Sequence, residues 1–163
     1  NTINYRGALC ECGNRGCLEK YCSFLVFCEN ITRRLQAGEP SILSENNLTA
    51  ASISDAVKTG DKVAREEYEK ACEFLSIGIV NLINQFNPGM IVIGDELAEV
   101  APDLLLKIVC DKVHACINPL VYNDITMEVN RLPESPALLG AAAIAAQNVL
   151  SDPTKLMKHE KEA

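Results

Sequence analysis

The sequence predicts one α/β unit, rich in helix and carrying a small parallel or mixed sheet. Three observations lead there. Asp61 to Phe86 repeats apolar residues at helical spacing over the longest uninterrupted stretch in the chain. Met90-Ile91-Val92-Ile93 is a continuous apolar run with β-branched residues, bounded by Gly94, the pattern of a strand buried on both faces. Helical and strand-like segments then alternate to the end with no internal repeat and no linker between two cores, so residues 1–150 read as a single unit.

The elements follow in order. Thr2-Ile3-Asn4-Tyr5 alternates like a short strand entering a cysteine-rich loop. Leu18, Cys22, Leu25, Val26, Ile31 and Leu35 recur at roughly helical spacing, predicting one helix from Leu18 to about Gln36 that Gly38-Glu39-Pro40 closes. Ser41 to Asn47 is polar and loop-like. Asn47 or Thr49 can cap a short helix through Val57, and Asp61 can cap the long one. In the long helix Ala64, Tyr68, Ala71, Cys72, Leu75, Ile79, Leu82 and Ile83 mark the buried stripe. Asn87-Pro88-Gly89 ends it. Beyond the first strand, Glu96 to Cys116 reads as helix, irregular around Pro102, and Asp124 to Val129 alternates like a second strand. Ser135-Pro136 opens a last helix, Ala137 to Leu150, with Pro136 suited to its first turn and a small-residue face at Gly140-Ala141-Ala142-Ala143. Residues 151–163 are charged and expected to fray.

The most informative run is Cys10-Glu11-Cys12-Gly13-Asn14-Arg15-Gly16-Cys17-Leu18-Glu19. Three thiols fall within eight residues, with two glycines between them. Thiolates that converge on one centre force tight turns, which glycine makes at no steric cost. Zinc suits such a soft, tetrahedral sulfur cage. The loop supplies three ligands and a tetrahedron needs four. Cys22 lies just behind the loop and is a weak substitute; His114, in an apolar helix, and His159, in the tail, are poor ones. Idle thiols are the alternative, which the glycine spacing disfavours.

Composition bounds the remaining readings. The chain has 163 residues, 48% of them hydrophobic, enough for an ordinary core without disulfide staples. Cys22, Cys28, Cys72, Cys110 and Cys116 are scattered through helix-like segments, where a thiol behaves as a small hydrophobe. A reducing cytoplasm is therefore expected, and no signal peptide or membrane-length apolar run opposes it. The net charge of −7 argues against this stretch itself gripping nucleic acid.

The decapeptide, followed by Lys20-Tyr21-Cys22-Ser23, resembles the signature of the ROK family of bacterial repressors and sugar kinases. Asn87 to Gly94 is similar to that family's strand leading into a glycine pair, and Leu138-Leu139-Gly140-Ala141-Ala142 to its closing helix. The resemblance covers nearly the whole chain but only the second half of a family member. It implies part of the second lobe of an actin-like, ribonuclease-H-type fold, with sugar and nucleotide held between lobes. It further implies that Cys10, Cys12 and Cys17 ligate a structural zinc, whose fourth ligand is a histidine in a segment preceding this chain. A chain lacking that ligand is expected to hold zinc weakly. Glu19 matches the glutamate that hydrogen-bonds sugar hydroxyls, and Gly94 the nucleotide-side glycine. On residues alone, Glu19 could equally favour a helix N-terminus through the macrodipole.

Two parents are compatible with the resemblance. One is an ATP-dependent sugar kinase. The phosphate loop and catalytic aspartate of such an enzyme have no match here, so this chain does not phosphorylate sugar by itself. The other is a transcriptional repressor that senses a sugar effector, touches DNA through an N-terminal region outside this chain, and self-associates. Gly94 is followed by Asp95 where the kinases carry a second glycine. An aspartate brings a side chain and a negative charge toward polyphosphate, which disfavours ATP and favours the repressor.

Overall fold

A long helix, Lys62–Phe86, is the axis on which residues 1–129 assemble. The computed structural model describes residues 1–117, 125–132 and 136–151. The expected tail over residues 152–163, His159 within it, Asp124 and Ser135 lie outside the described residues. By its contacts the chain divides into two units, Asn1–Val129 and Asn130–Ala163.

In the first unit, α1 (Glu19–Cys22), α2 (Phe24–Gln36) and α3 (Ala50–Lys58) precede α4 (Lys62–Phe86). Strand β1 (Met90–Ile93), α5 (Glu96–Val100), α6 (Pro102–Cys116) and β2 (Thr126–Val129) complete it. Helices α1, α2, α3 and α6 all pack on α4. The core repeats at three to four residues on each helix: Phe27 and Ile31 on α2, Val63, Ala64, Tyr68, Ala71, Cys72, Ile79 and Ile83 on α4, and Leu105, Val109 and Val113 on α6.

The caps explain the boundaries. Thr49 and Ser52 form a reciprocal capping box at α3, and the Asp61 carboxylate accepts from the Ala64 amide at 2.9 Å to start α4. Asn87 adopts φ 44° to close α4, ahead of Pro88. Between α5 and α6 the chain breaks at Ala101, and Pro102 takes the first position of α6, the irregularity expected there. Buried Tyr68 binds this junction: its hydroxyl reaches the Leu97 and Ala101 carbonyl oxygens at 3.1 and 3.0 Å, and the Ala101 amide donates to it at 3.2 Å.

Strands β1 and β2 pair in parallel, Met90 opposite Thr126 through Ile93 opposite Val129, with α5 and α6 in the crossover. The second unit holds α7 (Pro136–Ser151), opened by Pro136 as expected.

Three expectations are corrected. Thr2 to Tyr5 is not a strand; Thr2 makes an isolated antiparallel bridge to Cys17, because the neighbouring backbone turns to bond within the cysteine loop. The helix from Leu18 to Gln36 is two helices. Ser23 leaves helical geometry, with ψ 150°, and its side chain accepts from the Val26 amide to cap α2 afresh. That restart shifts the phase, so Leu25 faces outward and Phe27 inward. Strand β1 is not buried on both faces: Met90 and Val92 keep 55% and 56% of their surface, and Ile93 alone is buried.

Candidate metal centre and ligand cleft

The cysteine loop is built by backbone hydrogen bonds that aim its thiols inward. The Cys10 amide donates to the Asn14 carbonyl oxygen at 2.8 Å and the Gly13 amide to that of Cys10 at 2.9 Å, closing a turn around Cys12. The Gly16 carbonyl oxygen accepts from Ile3 and Asn4, and the Leu18 amide donates to the Asn1 carbonyl oxygen at 2.9 Å, lacing the first residues to the loop. Gly16 sits at φ +62°, and a Cβ there would fall 1.6 Å from the Asn4 carbonyl oxygen, so no side chain fits. Lys20 meets Glu11 at 2.6 Å and ties the loop's rim to α1, holding the Glu11 carboxyl below its ordinary range.

The result is convergence. The sulfurs of Cys10, Cys12 and Cys17 all lie within 4.8 Å of one another, and Cys12 and Cys17 approach to 3.5 Å. A tetrahedral zinc with thiolates at ~2.3 Å places its sulfurs ~3.8 Å apart, so this group could hold a metal ion with little movement. Cys10 and Cys17 are buried and Cys12 is exposed. The Asn14 backbone amide, then the Cys17 thiol, pull Cys12 down to about 7, and the nearby Cys12 sulfur, then burial, push Cys17 up to about 11. Cys12 is thus the more readily ionised of the two, and the thiolate is the form a metal takes.

The other cysteines are elsewhere or turned away. Cys22 is buried, with its thiol toward the Leu18 carbonyl oxygen at 3.5 Å, and does not join the trio. His114 stands on α6 with Nδ1 2.8 Å from the Cys110 carbonyl oxygen, and it too is apart from the trio. All eight cysteines are free thiols.

Beside the trio opens a cleft of about 530 Å³ lined by Cys12, Cys17, Glu19, Ser23, Gly94 and Asp95, among others. Every site residue expected from sequence, Cys10, Cys12, Cys17, Glu19 and Gly94, borders this one space. Glu19 is exposed and is the first residue of α1. Gly94 and Asp95 arrive from the carboxyl end of β1, where ligands gather in parallel sheets. Asp95 also caps α5, its Oδ1 accepting from the Glu96 amide at 2.8 Å. Sequence reasoning missed Ser23 and Leu75 as cleft residues. The serine's signal was its capping role; Leu75 carried none.

Comparison with known proteins gives a family match and similar folds. A profile of the ROK family matches residues 1–148. A xylose repressor from Caldicellulosiruptor bescii is 31% identical over 93% of this chain and 39% of its own. The solved structure of a ROK family transcriptional regulator, a homologue of Escherichia coli Mlc, superposes with a TM-score of 0.72 at 29% identity, covering 81% of this chain and 33% of that one. A ROK family glucokinase from Streptomyces griseus, solved with glucose and AMPPNP, gives 0.75 at 23% identity over 90% of this chain and 50% of its own. The chain thus spans about two fifths of the repressor it resembles.

Proposed function

The chain belongs to the ROK family, and from that premise we propose that it is the sugar-sensing and self-associating C-terminal portion of a transcriptional repressor, with residues 1–150 forming part of one lobe. The observation that carries this reading is the shared cleft. Glu19 lines it, two residues after the last thiol of the trio, and Asp95 lies in the same lining. A carboxylate can accept paired hydrogen bonds from adjacent sugar hydroxyls, provided its backbone is held still. The cysteine loop supplies that stillness: Cys17, Leu18 and Glu19 are consecutive, so whatever fixes Cys17 fixes the start of α1.

Cys10, Cys12 and Cys17 are the zinc ligands in this reading, with a fourth ligand completing the tetrahedron. The metal is structural: it cross-links the loop. The effector shifts the balance between DNA-bound and free repressor by binding one of them better. DNA contact belongs to a region outside this chain, consistent with its net charge of −7. A cytoplasmic location accords with eight free thiols, and no described helix is long and apolar enough to cross a membrane.

The kinase reading shares the fold, and fold does not choose between the two. Asp95 favours the sensor: it lines the cleft, and its negative charge there would work against a polyphosphate. The deciding experiment is calorimetric titration of free sugars, and separately of AMPPNP, into the full-length protein and its Glu19→Gln variant. Sugar binding that weakens at least about tenfold in the variant, with no AMPPNP binding to either, supports the sensor. Unchanged sugar affinity in a folded Glu19→Gln protein would overturn it.

A further inference from the structure

Two side-chain bonds tie the cysteine loop to α1, and they differ in kind. One is the ion pair of Glu11 with Lys20. The other reaches the limb that leads into the loop: the Asn4 side-chain amide donates to the Tyr21 hydroxyl at 3.1 Å, across 17 residues of chain. Around this bond the backbone is tightly fitted. The Asn4 amide donates to the Gly16 carbonyl oxygen at 3.2 Å, and the Asn4 carbonyl oxygen accepts from the Gly7 amide at 2.8 Å. Gly7 has its own reason to be glycine: a Cβ there would fall 2.1 Å from the Tyr21 hydroxyl and 2.8 Å from the Gly16 Cα. Residues 4, 7, 16 and 21 therefore interlock, and Gly16 directly precedes Cys17. Tyr21 is anchored in turn, its ring 4.8 Å from that of Phe74 on α4. Phe74 stands one turn before Gly78, so both neighbours on that face of α4 grip the start of α1.

We infer that Asn4 and Tyr21 are positioning residues of the metal centre: their hydrogen bond closes the limb entering the loop against α1, so that Cys17 is held in register with Cys10 and Cys12 before an ion arrives. The inference rests on the reading of the trio as metal ligands and adds to it two residues that touch no metal. The physical reason is preorganisation. A loop that its ion must order loses part of the binding free energy to that ordering, whereas a loop already held does not. The bond joins an amide to a phenol, so salt does not screen it as it screens the Glu11–Lys20 pair.

The test compares the full-length protein with its Tyr21→Phe, Asn4→Ala and doubly substituted variants, using zinc competed against a chromophoric chelator. Tyr21→Phe keeps the ring on Phe74 and removes the hydroxyl alone. Each single variant is expected to bind zinc about three- to tenfold more weakly, the worth of one hydrogen bond. The double variant is expected to lose no more than either single, because both remove the same bond. Cobalt(II), whose visible absorption reports the geometry of its sulfur ligands, is expected to give an altered spectrum in all three variants. The urea midpoint of the chelated, metal-free proteins is expected to stay that of the parent. A folded Tyr21→Phe protein with the parent's zinc affinity and cobalt spectrum overturns the inference and leaves the metal site standing. So do additive losses in the double variant, or a metal-free midpoint that falls in step with affinity, which would make the bond merely structural. A parent that holds neither zinc nor cobalt overturns the metal site and the inference together.

Discussion

Leu18 packs its branched end against Gly78, so closely that a Cβ on residue 78 would lie 2.4 Å from Leu18 Cδ2. Gly78 sits in the interior of α4, where glycine costs about 1 kcal/mol relative to alanine. The position therefore gives up helix stability for a socket. Leu18 links Cys17 to Glu19, so the socket registers both the thiol trio and the proposed sugar contact against the core.

Gly78→Ala is expected to leave global stability within about 1 kcal/mol of the parent. The gain in helix propensity offsets an overpacking cost of about 1–3 kcal/mol, softened because the obstacle is the tip of a side chain. Affinity for metal and sugar is expected to fall several-fold, since Leu18 must give way. Pairing Gly78→Ala with Leu18→Ala is expected to recover part of that loss in a double-mutant cycle. A single Gly78→Ala protein that binds zinc and sugar as the parent does would show the socket to be incidental.

Replacing any of Cys10, Cys12 or Cys17 with serine is expected to abolish stoichiometric zinc in the full-length protein and to weaken sugar binding in parallel. Cys22→Ala is expected to retain the metal, because its thiol faces the Leu18 carbonyl oxygen and stands outside the trio. Metal analysis after dialysis checks both. Chelation should likewise expose the loop amides of Cys10, Gly13 and Gly16 to hydrogen exchange, given that binding energy at such sites is folding energy. Serine variants that keep one zinc per chain would place the ligands elsewhere.

Tyr68→Phe removes a hydroxyl that serves the Leu97 carbonyl oxygen and both backbone groups of Ala101. Tyr68 is completely buried and Ala101 partly so, and the Ala101 carbonyl oxygen keeps the Leu105 amide as a donor at 2.9 Å. The expected cost is about 1–3 kcal/mol. Faster exchange at the Ala101 amide should localise the damage to the α5–α6 junction, and a phenylalanine variant as stable as the parent would mean that the junction closes without the hydroxyl.

How far the sequence revealed all this depends on whether the signal was local. Glycines at 13 and 16, between thiols, announced a tight loop of converging sulfurs, and both have the positive φ that such a loop demands. Asp61 and Thr49 announced helix starts through chemistry that acts within one turn. The break at Ser23 was equally local, yet an apolar periodicity running from Leu18 to Leu35 masked it. Other features could not be read from neighbours. Met90-Ile91-Val92-Ile93 has the composition of a two-sided buried strand, but what covers a strand is decided by segments far away in sequence. The meeting of Gly94-Asp95 with Glu19 is of that kind, joining positions some 75 residues apart. Residues alone left Glu19 as a helix-terminus charge; family resemblance, and then the cleft, gave it a partner. The Leu18–Gly78 contact had one visible trace, a glycine inside a helical pattern.

Asp61 provides a pH-dependent handle on the fold. Partial burial works against its ionisation, but the amides of Ala64 and Ile42, at 2.9 and 2.8 Å, outweigh that and hold the carboxyl below its usual range. A carboxyl depressed in the folded state adds stability that is present above its unfolded value, about 3.9, and is lost as pH falls through the lower folded value. Asp61→Ala is therefore expected to cost about 0.5–2 kcal/mol at neutral pH, the range for a lost N-cap. That gap between parent and variant should hold from pH 7 to about pH 5 and narrow below about pH 4, as the parent's carboxylate takes up its proton. Urea unfolding of both proteins at pH 7, 5 and 3 reads the gap directly. Because other acidic groups titrate alike in the two proteins, a difference that stayed constant to pH 3 would assign the cap's contribution to geometry alone and remove the charge from it.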